Sequence, residues 1–111
     1  MGKHGTDLLH GTLDLLILKL LERSPMNGYS IGKKIEVLTD DALRIEEGSL
    51  YPALYRMERR GWLKATWGTS ENNRKAKFYQ LTRTGKKKLA EQAENWNRFQ
   101  SAVGKIMEGA G

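Results

Sequence analysis

Apolar positions along this chain fall into separate patterned stretches. Leu13, Leu15, Leu16, Ile17, Leu18, Leu20 and Leu21 cover nearly every direction around a helical axis. They predict a first helix over about 12–23 that is buried on several sides. Thr12 is its candidate N-cap, and Asp14 sits in the first turn, where the helix dipole favours a carboxylate. Pro25 ends it, because the residue before a proline is pushed out of the helical region. Asn27 and Gly28 predict a turn, and a second helix follows over Gly28 to Leu38. There Ile31, Ile35 and Leu38 share one face, with Tyr29 and Lys33 roughly opposite. Residues 40–47 form a polar connection in which Ala42, Leu43 and Ile45 are anchors. A third helix is expected from Ser49, a good N-cap, to Gly61, a good stop. Pro52 then falls in its first turn, where a missing N–H costs nothing. Leu50, Leu54 and Met57 point one way, with Ala53 at their border. Tyr51, Pro52, Tyr55, Arg56 and Arg59 point the other.

Alternation then replaces helical spacing. Trp62 to Trp67 and Phe78 to Thr82 read as two strands, and the polar run 68–75 as a long basic loop between them. A last helix is expected over about 84–108. Leu89, Trp96 and Val103 recur every seven residues, and Gln92, Phe99 and Ile106 form the companion row. So small a domain does not offer enough core to cover that stripe, whereas a partner chain would. The order helix, helix, helix, hairpin is that of a winged helix-turn-helix. The expected fold class is mainly α with a small β-hairpin. The expected division is a DNA-binding unit over 1–83 and a C-terminal dimerisation helix over 84–111.

Charge sharpens this picture. The chain of 111 residues carries a net charge of +6. Between Arg56 and Lys88 there are 11 Lys or Arg and 2 acidic residues, a local +9, so the remainder carries −3. A basic middle on a slightly acidic protein fits a polyanion site, and equally a solvated basic surface.

Candidate contacts follow from the elements. A recognition helix reads base edges with side chains near its N-terminus, while hydroxyls, amides and basic groups hold phosphates. Ser49 would give a backbone N–H to phosphate. Tyr51 and Tyr55 would reach backbone or bases, and Arg56 and Arg59 would neutralise phosphate, with Tyr29 and Lys33 joining from the second helix. The alternative is that Tyr51 belongs to the core and the arginines to solvent. Arg74, Lys75 and Lys77 would place a cationic wing on phosphates or a minor groove, or else guard a sheet edge. Lys86, Lys87 and Lys88 are a phosphate contact or a solvated face. Trp96 and Phe99 are packing residues of a dimer seam, or they line a pocket for a flat hydrophobic effector.

For catalysis the sequence is poor. It has no cysteine, which excludes disulfides, thiol chemistry and cysteine-ligated zinc, and which fits a cytoplasmic protein. His4 and His10 have no partner at ligand spacing, and no phosphate loop or nucleophile elbow is visible. The adjacent carboxylates Asp40-Asp41 and Glu46-Glu47 read as solvated or capping groups. No apolar run is long enough to span a bilayer, and no cleavage site follows the first apolar run. No enzyme activity, cofactor or metal is expected.

Several stretches resemble the PadR family of transcriptional regulators: GTLDLLILKLL (11–21), NGYSI (27–31), EEGSLYPALYRMERRGW (46–62) and RKAKFYQLTRTGKKKL (74–89). The stretch 67–82 looks like the PadR-like group described from acidobacteria, and the single C-terminal helix is similar to the short members. The resemblance implies a winged helix-turn-helix with a C-terminal dimerisation helix, bound as a homodimer to double-stranded operator DNA with an inverted repeat. It implies repression, relieved by a small aromatic or hydrophobic effector or by another signal. On matching positions it supports Ser49, Tyr51, Pro52 and Tyr55, together with Tyr29, Arg74 and Lys75, and it places Trp96 and Phe99 near the dimer interface. The competing expectation is a winged-helix protein-interaction module that reads no DNA sequence. A winged helix that prefers RNA is a third.

Overall fold

The all-round apolar surface of the first helix puts it at the centre of the molecule. In the computed structural model, residues 12–109 are described; His4 and His10 lie outside them. Helix α1 (Leu13–Leu21) buries Ile17, Leu18 and Leu21, and Leu13, Leu15, Leu16 and Leu20 pack partly buried against the same core. Thr12 takes the N-cap position, and its carbonyl accepts the Leu16 N–H at 3.0 Å.

Pro25 is followed by a short strand, β1 (Met26–Asn27), and by α2 (Gly28–Leu38). The Asn27 side chain accepts the Ser30 N–H at 2.8 Å and caps α2, satisfying one of the orphan donors of its first turn. Ile31 and Ile35 are buried as expected, but Leu38 is exposed, as is Val37. The last turn of α2 runs past the edge of the core, so the expected apolar face is one residue too long.

Helix α3 (Glu47–Arg59) begins two residues earlier than expected. Its N-cap is Glu46, in extended conformation, and Ser49 is already inside the first turn, its N–H donating to the Glu46 carbonyl at 2.9 Å. Ile45, packed partly buried against the core, fixes the chain just before the helix. Pro52 therefore lies inside the helix, beyond the first turn, where it withholds an N–H from the Gly48 carbonyl. Leu50, Ala53, Leu54 and Met57 are buried. The helix ends at Gly61, whose φ of 80° is left-handed and suits glycine.

Strands β2 (Leu63–Thr69) and β3 (Lys75–Leu81) form an antiparallel ladder from Leu63↔Leu81 to Thr69↔Lys75. The strands are longer than side-chain alternation suggests, and the turn is only 70–74. Backbone pairing decides this: Ser70 N–H donates to the Arg74 carbonyl at 2.8 Å, and a wing tip beyond the core needs no apolar side chains to keep its ladder. Strand β1 adds to the other edge of β3, with Met26 opposite Tyr79, giving the order β1-β3-β2. Two residues are too few to announce a strand by alternation.

Helix α4 (Arg83–Gly109) starts where Thr82 locks it to the sheet. The Thr82 hydroxyl accepts the Gly85 N–H at 2.9 Å and donates to the Gly61 carbonyl at 2.5 Å, while the Thr82 N–H donates to the Trp62 carbonyl at 3.1 Å. Among the helix's described residues, Gly85 and Leu89 are the buried ones. At 27 residues the helix is about 40 Å long, so most of it projects beyond the core.

Candidate nucleic-acid interface

The start of α2, the exposed side of α3 and the wing enclose one concavity. Tyr29, Tyr51, Arg74, Lys75 and Lys77, chosen from sequence on three separate elements, all line it. Tyr29 is 68% exposed and Tyr51 41%, so both present ring surface outward. Tyr51 is nevertheless seated: a Cβ at Gly28 would lie 2.5 Å from its ring. Glycine at the head of α2 is thus what lets the ring lie across the helix. Burial, and then the nearby Glu47 carboxylate, push the Tyr51 hydroxyl above its ordinary pKa. Arg74 and Lys75 are exposed, and no ion pair among the described residues holds either of them.

Other predicted contacts are placed differently. Arg56 makes a two-pronged pair with Asp14, at 2.9 and 2.8 Å. Its pKa is raised chiefly by that hydrogen bond. The guanidinium therefore ties α3 to α1 across 42 positions of sequence, and its charge is already matched. Lys77 pairs with Glu58 of α3 at 3.0 Å, and that bond raises its pKa; it braces the wing against the helix. Arg59 lies over the Tyr55 ring, 5.7 Å from its centroid, and both remain exposed, as does Lys33. Ser49 and Pro52 face a second concavity with Leu13, Asp14, Arg44 and Arg56, away from the wing. Lys88 is drawn to Glu91 at 3.0 Å, whereas Lys86 and Lys87 are exposed.

Sequence reasoning missed Trp67, Asn27 and Asn72, which line the wing concavity. Trp67 was visible as a strand residue, but only the strand register shows which face it joins.

The expected seam on α4 divides. Leu89 is 6% exposed within its own chain's core, so it is not part of a free surface; the first turns of α4 lie against α1 and the sheet, which fixes that burial. Trp96, Phe99, Val103 and Ile106 remain exposed, joined by Met107, and Gln92 is half-buried. The rings of Trp96 and Phe99 adjoin, with centroids 6.1 Å apart.

The Transcriptional regulator PadR-like family matches residues 17–91, from the first helix to the start of α4. The chain belongs to the PadR family. Three solved structures agree. A transcriptional regulator from Clostridium thermocellum is 32% identical, with a TM-score of 0.82 over 90% of this chain and 97% of that one. A PadR-like transcriptional regulator from Bacillus cereus is 27% identical, with a TM-score of 0.80 over 93% and 98%. A PadR-family transcriptional regulator from Eggerthella lenta is 34% identical, with a TM-score of 0.77 over 94% and 88%. The fold is the winged helix of PadR regulators. Members of the family are DNA-binding transcriptional regulators rather than enzymes. Among the described residues, no helix is long and apolar enough to cross a membrane.

The structure also gives physical content to the two most distinctive PadR-like stretches. In GSLYPAL, Leu50, Ala53 and Leu54 enter the core while Tyr51 crosses Gly28. In YQLTRTG, Tyr79 and Leu81 enter the core, Thr82 caps α4, and Gly85 lets the helix approach the Trp62 carbonyl.

Proposed function

We propose that this PadR-family regulator is a cytoplasmic homodimeric repressor, with residues 1–83 binding an inverted-repeat operator and 84–111 joining the subunits. The observation that carries the reading is the exposed row Trp96, Phe99, Val103 and Ile106 on the distal half of α4. Apolar surface of that kind is covered favourably by a second copy of itself. A two-fold dimer presents two α3 helices to successive major grooves, about one helical turn apart. In each subunit Tyr29, Tyr51 and Tyr55 supply polar tips, and Arg59, Arg74, Lys75 and Lys33 supply charge for phosphates. Ser49, whose N–H is held by the Glu46 carbonyl, is left out of the contact set. Arg56 and Lys77 hold α3 and the wing in place.

The mechanism we infer is a population shift. Derepression requires a signal that favours a dimer geometry whose two α3 helices no longer match the half-site spacing. A small aromatic or hydrophobic effector between Trp96 and Phe99 of the two subunits is one such signal, since those rings offer an apolar, stackable surface. Sedimentation of the protein with a duplex from its own upstream region tests the core of this reading. Two chains per duplex are expected; one chain per duplex, or a stable monomer at micromolar concentration, overturns it.

A further inference from the structure

We propose that Trp67 is a DNA-contacting residue of the wing, seating its indole against a deoxyribose of the strand that passes through the cleft; this rests on the DNA-binding reading above. The ladder register puts Leu63, Ala65 and Trp67 on the same face as Leu81, Tyr79, Lys77 and Lys75. At the base of the hairpin that face is core: Leu63, Tyr79 and Leu81 are buried. Toward the tip the same face runs out of core, and Trp67 emerges 64% exposed. It emerges into the concavity shared with Tyr29, Tyr51 and Arg74.

The strand itself does not call for an indole there. Any β-former would hold the ladder, and a large apolar ring left in water is unfavourable. The ring is also oriented. The Lys75 ammonium stands 5.6 Å from its centroid, a cation–π contact that steadies the plate and sets a positive charge beside it. An apolar plate next to a cation matches the alternation of sugar and phosphate along a nucleic-acid strand. The cationic lining by Arg74 and Lys75 selects a polyanion as the occupant over an apolar peptide.

The two neighbours then act by separable physics. Lys75 releases counterions from phosphate, so its contribution falls with salt. Trp67 removes apolar area from water, so its contribution does not.

The test is a salt series of binding to a labelled duplex from the protein's own upstream region. It uses wild type, Trp67→Ala, Trp67→Phe and Lys75→Ala, with indole emission followed to DNA saturation and thermal melting of each free protein. Trp67→Ala is expected to weaken binding on the order of tenfold with the wild-type salt slope. Trp67→Phe recovers most of that loss, and Lys75→Ala reduces the slope by about one. Emission is read in a Trp96→Phe background, since Trp96 belongs to the proposed subunit interface; there it changes on DNA binding, and adding Trp67→Phe abolishes the change, because Trp62 is buried. Wild-type affinity in Trp67→Ala, or an emission change that persists when Trp67→Phe is added to that background, overturns the proposal while leaving DNA binding intact. So does a loss of affinity matched by a loss of melting temperature, since that marks Trp67 as structural. A wild-type protein that binds no duplex overturns both readings together.

Discussion

The cleft between α3 and the wing exposes Tyr29, Tyr51 and Trp67, and the distal half of α4 exposes Trp96, Phe99, Val103 and Ile106. The two surfaces differ in what surrounds the rings. In the cleft they stand beside Arg74 and Lys75, which no ion pair among the described residues holds. On α4 they form an apolar row continued by Met107, and Arg98 beside Phe99 is drawn to Glu94 at 3.7 Å. Exposed aromatic surface alone therefore does not name a partner; the charge beside it does. Mixed aromatic and cationic surface suits a polyanion, and a continuous apolar row suits a copy of itself.

The comparison breaks most visibly if the two surfaces are altered in turn. Ile106→Glu puts a charge in the apolar row at a residue 66% exposed, so the subunit stays folded. Dimer dissociation should strengthen on the order of a hundredfold, read by sedimentation, and specific DNA affinity should fall with it. Tyr51→Ala removes the central cleft ring; it should cost about 2 kcal/mol of specific DNA binding with the dimer intact. A monomeric or unfolded product would instead assign Tyr51 to the core. Asp14→Asn breaks the two-pronged link to Arg56. Because the Arg56 side chain is 41% exposed, solvent screening limits the loss to about 1 kcal/mol in urea unfolding. Arg74→Ala with Lys75→Ala should weaken binding to every sequence several-fold and lower the salt slope by about two, leaving the dimer untouched.

Much of this organisation is legible in the chain because it rests on local spacing. The buried sets Ile31 with Ile35, and Leu50 with Leu54 and Met57, follow helical periods, and Gly61 stops α3 as its backbone freedom predicts. The start of α3 is less legible. Ser49 is the better capping side chain, but Ile45 anchors the chain earlier and the helix begins at Glu47, which also moves Pro52 out of the first turn. The wing ladder extends to Thr69 and Lys75 because backbone pairing at a solvent-exposed tip leaves no apolar alternation to read.

The least legible features depend on residues far apart in sequence. Arg56 has the same position on α3 whether it meets phosphate or Asp14, and only the packing of α1 against α3 decides. Lys77 and Glu58 belong to different elements and meet at 3.0 Å. Leu89 satisfies the heptad as well as Trp96 does, yet it lies where α4 still covers the domain, so its own chain buries it. Trp67 reads as a strand residue until the register shows that its face has left the core.

The most direct test of the account is the affinity of the intact protein for a duplex from its own upstream region and for a scrambled duplex, by fluorescence anisotropy at two salt concentrations. The account predicts tight binding to the native duplex, two chains per site, with affinity falling steeply as salt rises. Equal, weak binding to both duplexes at either salt would contradict it.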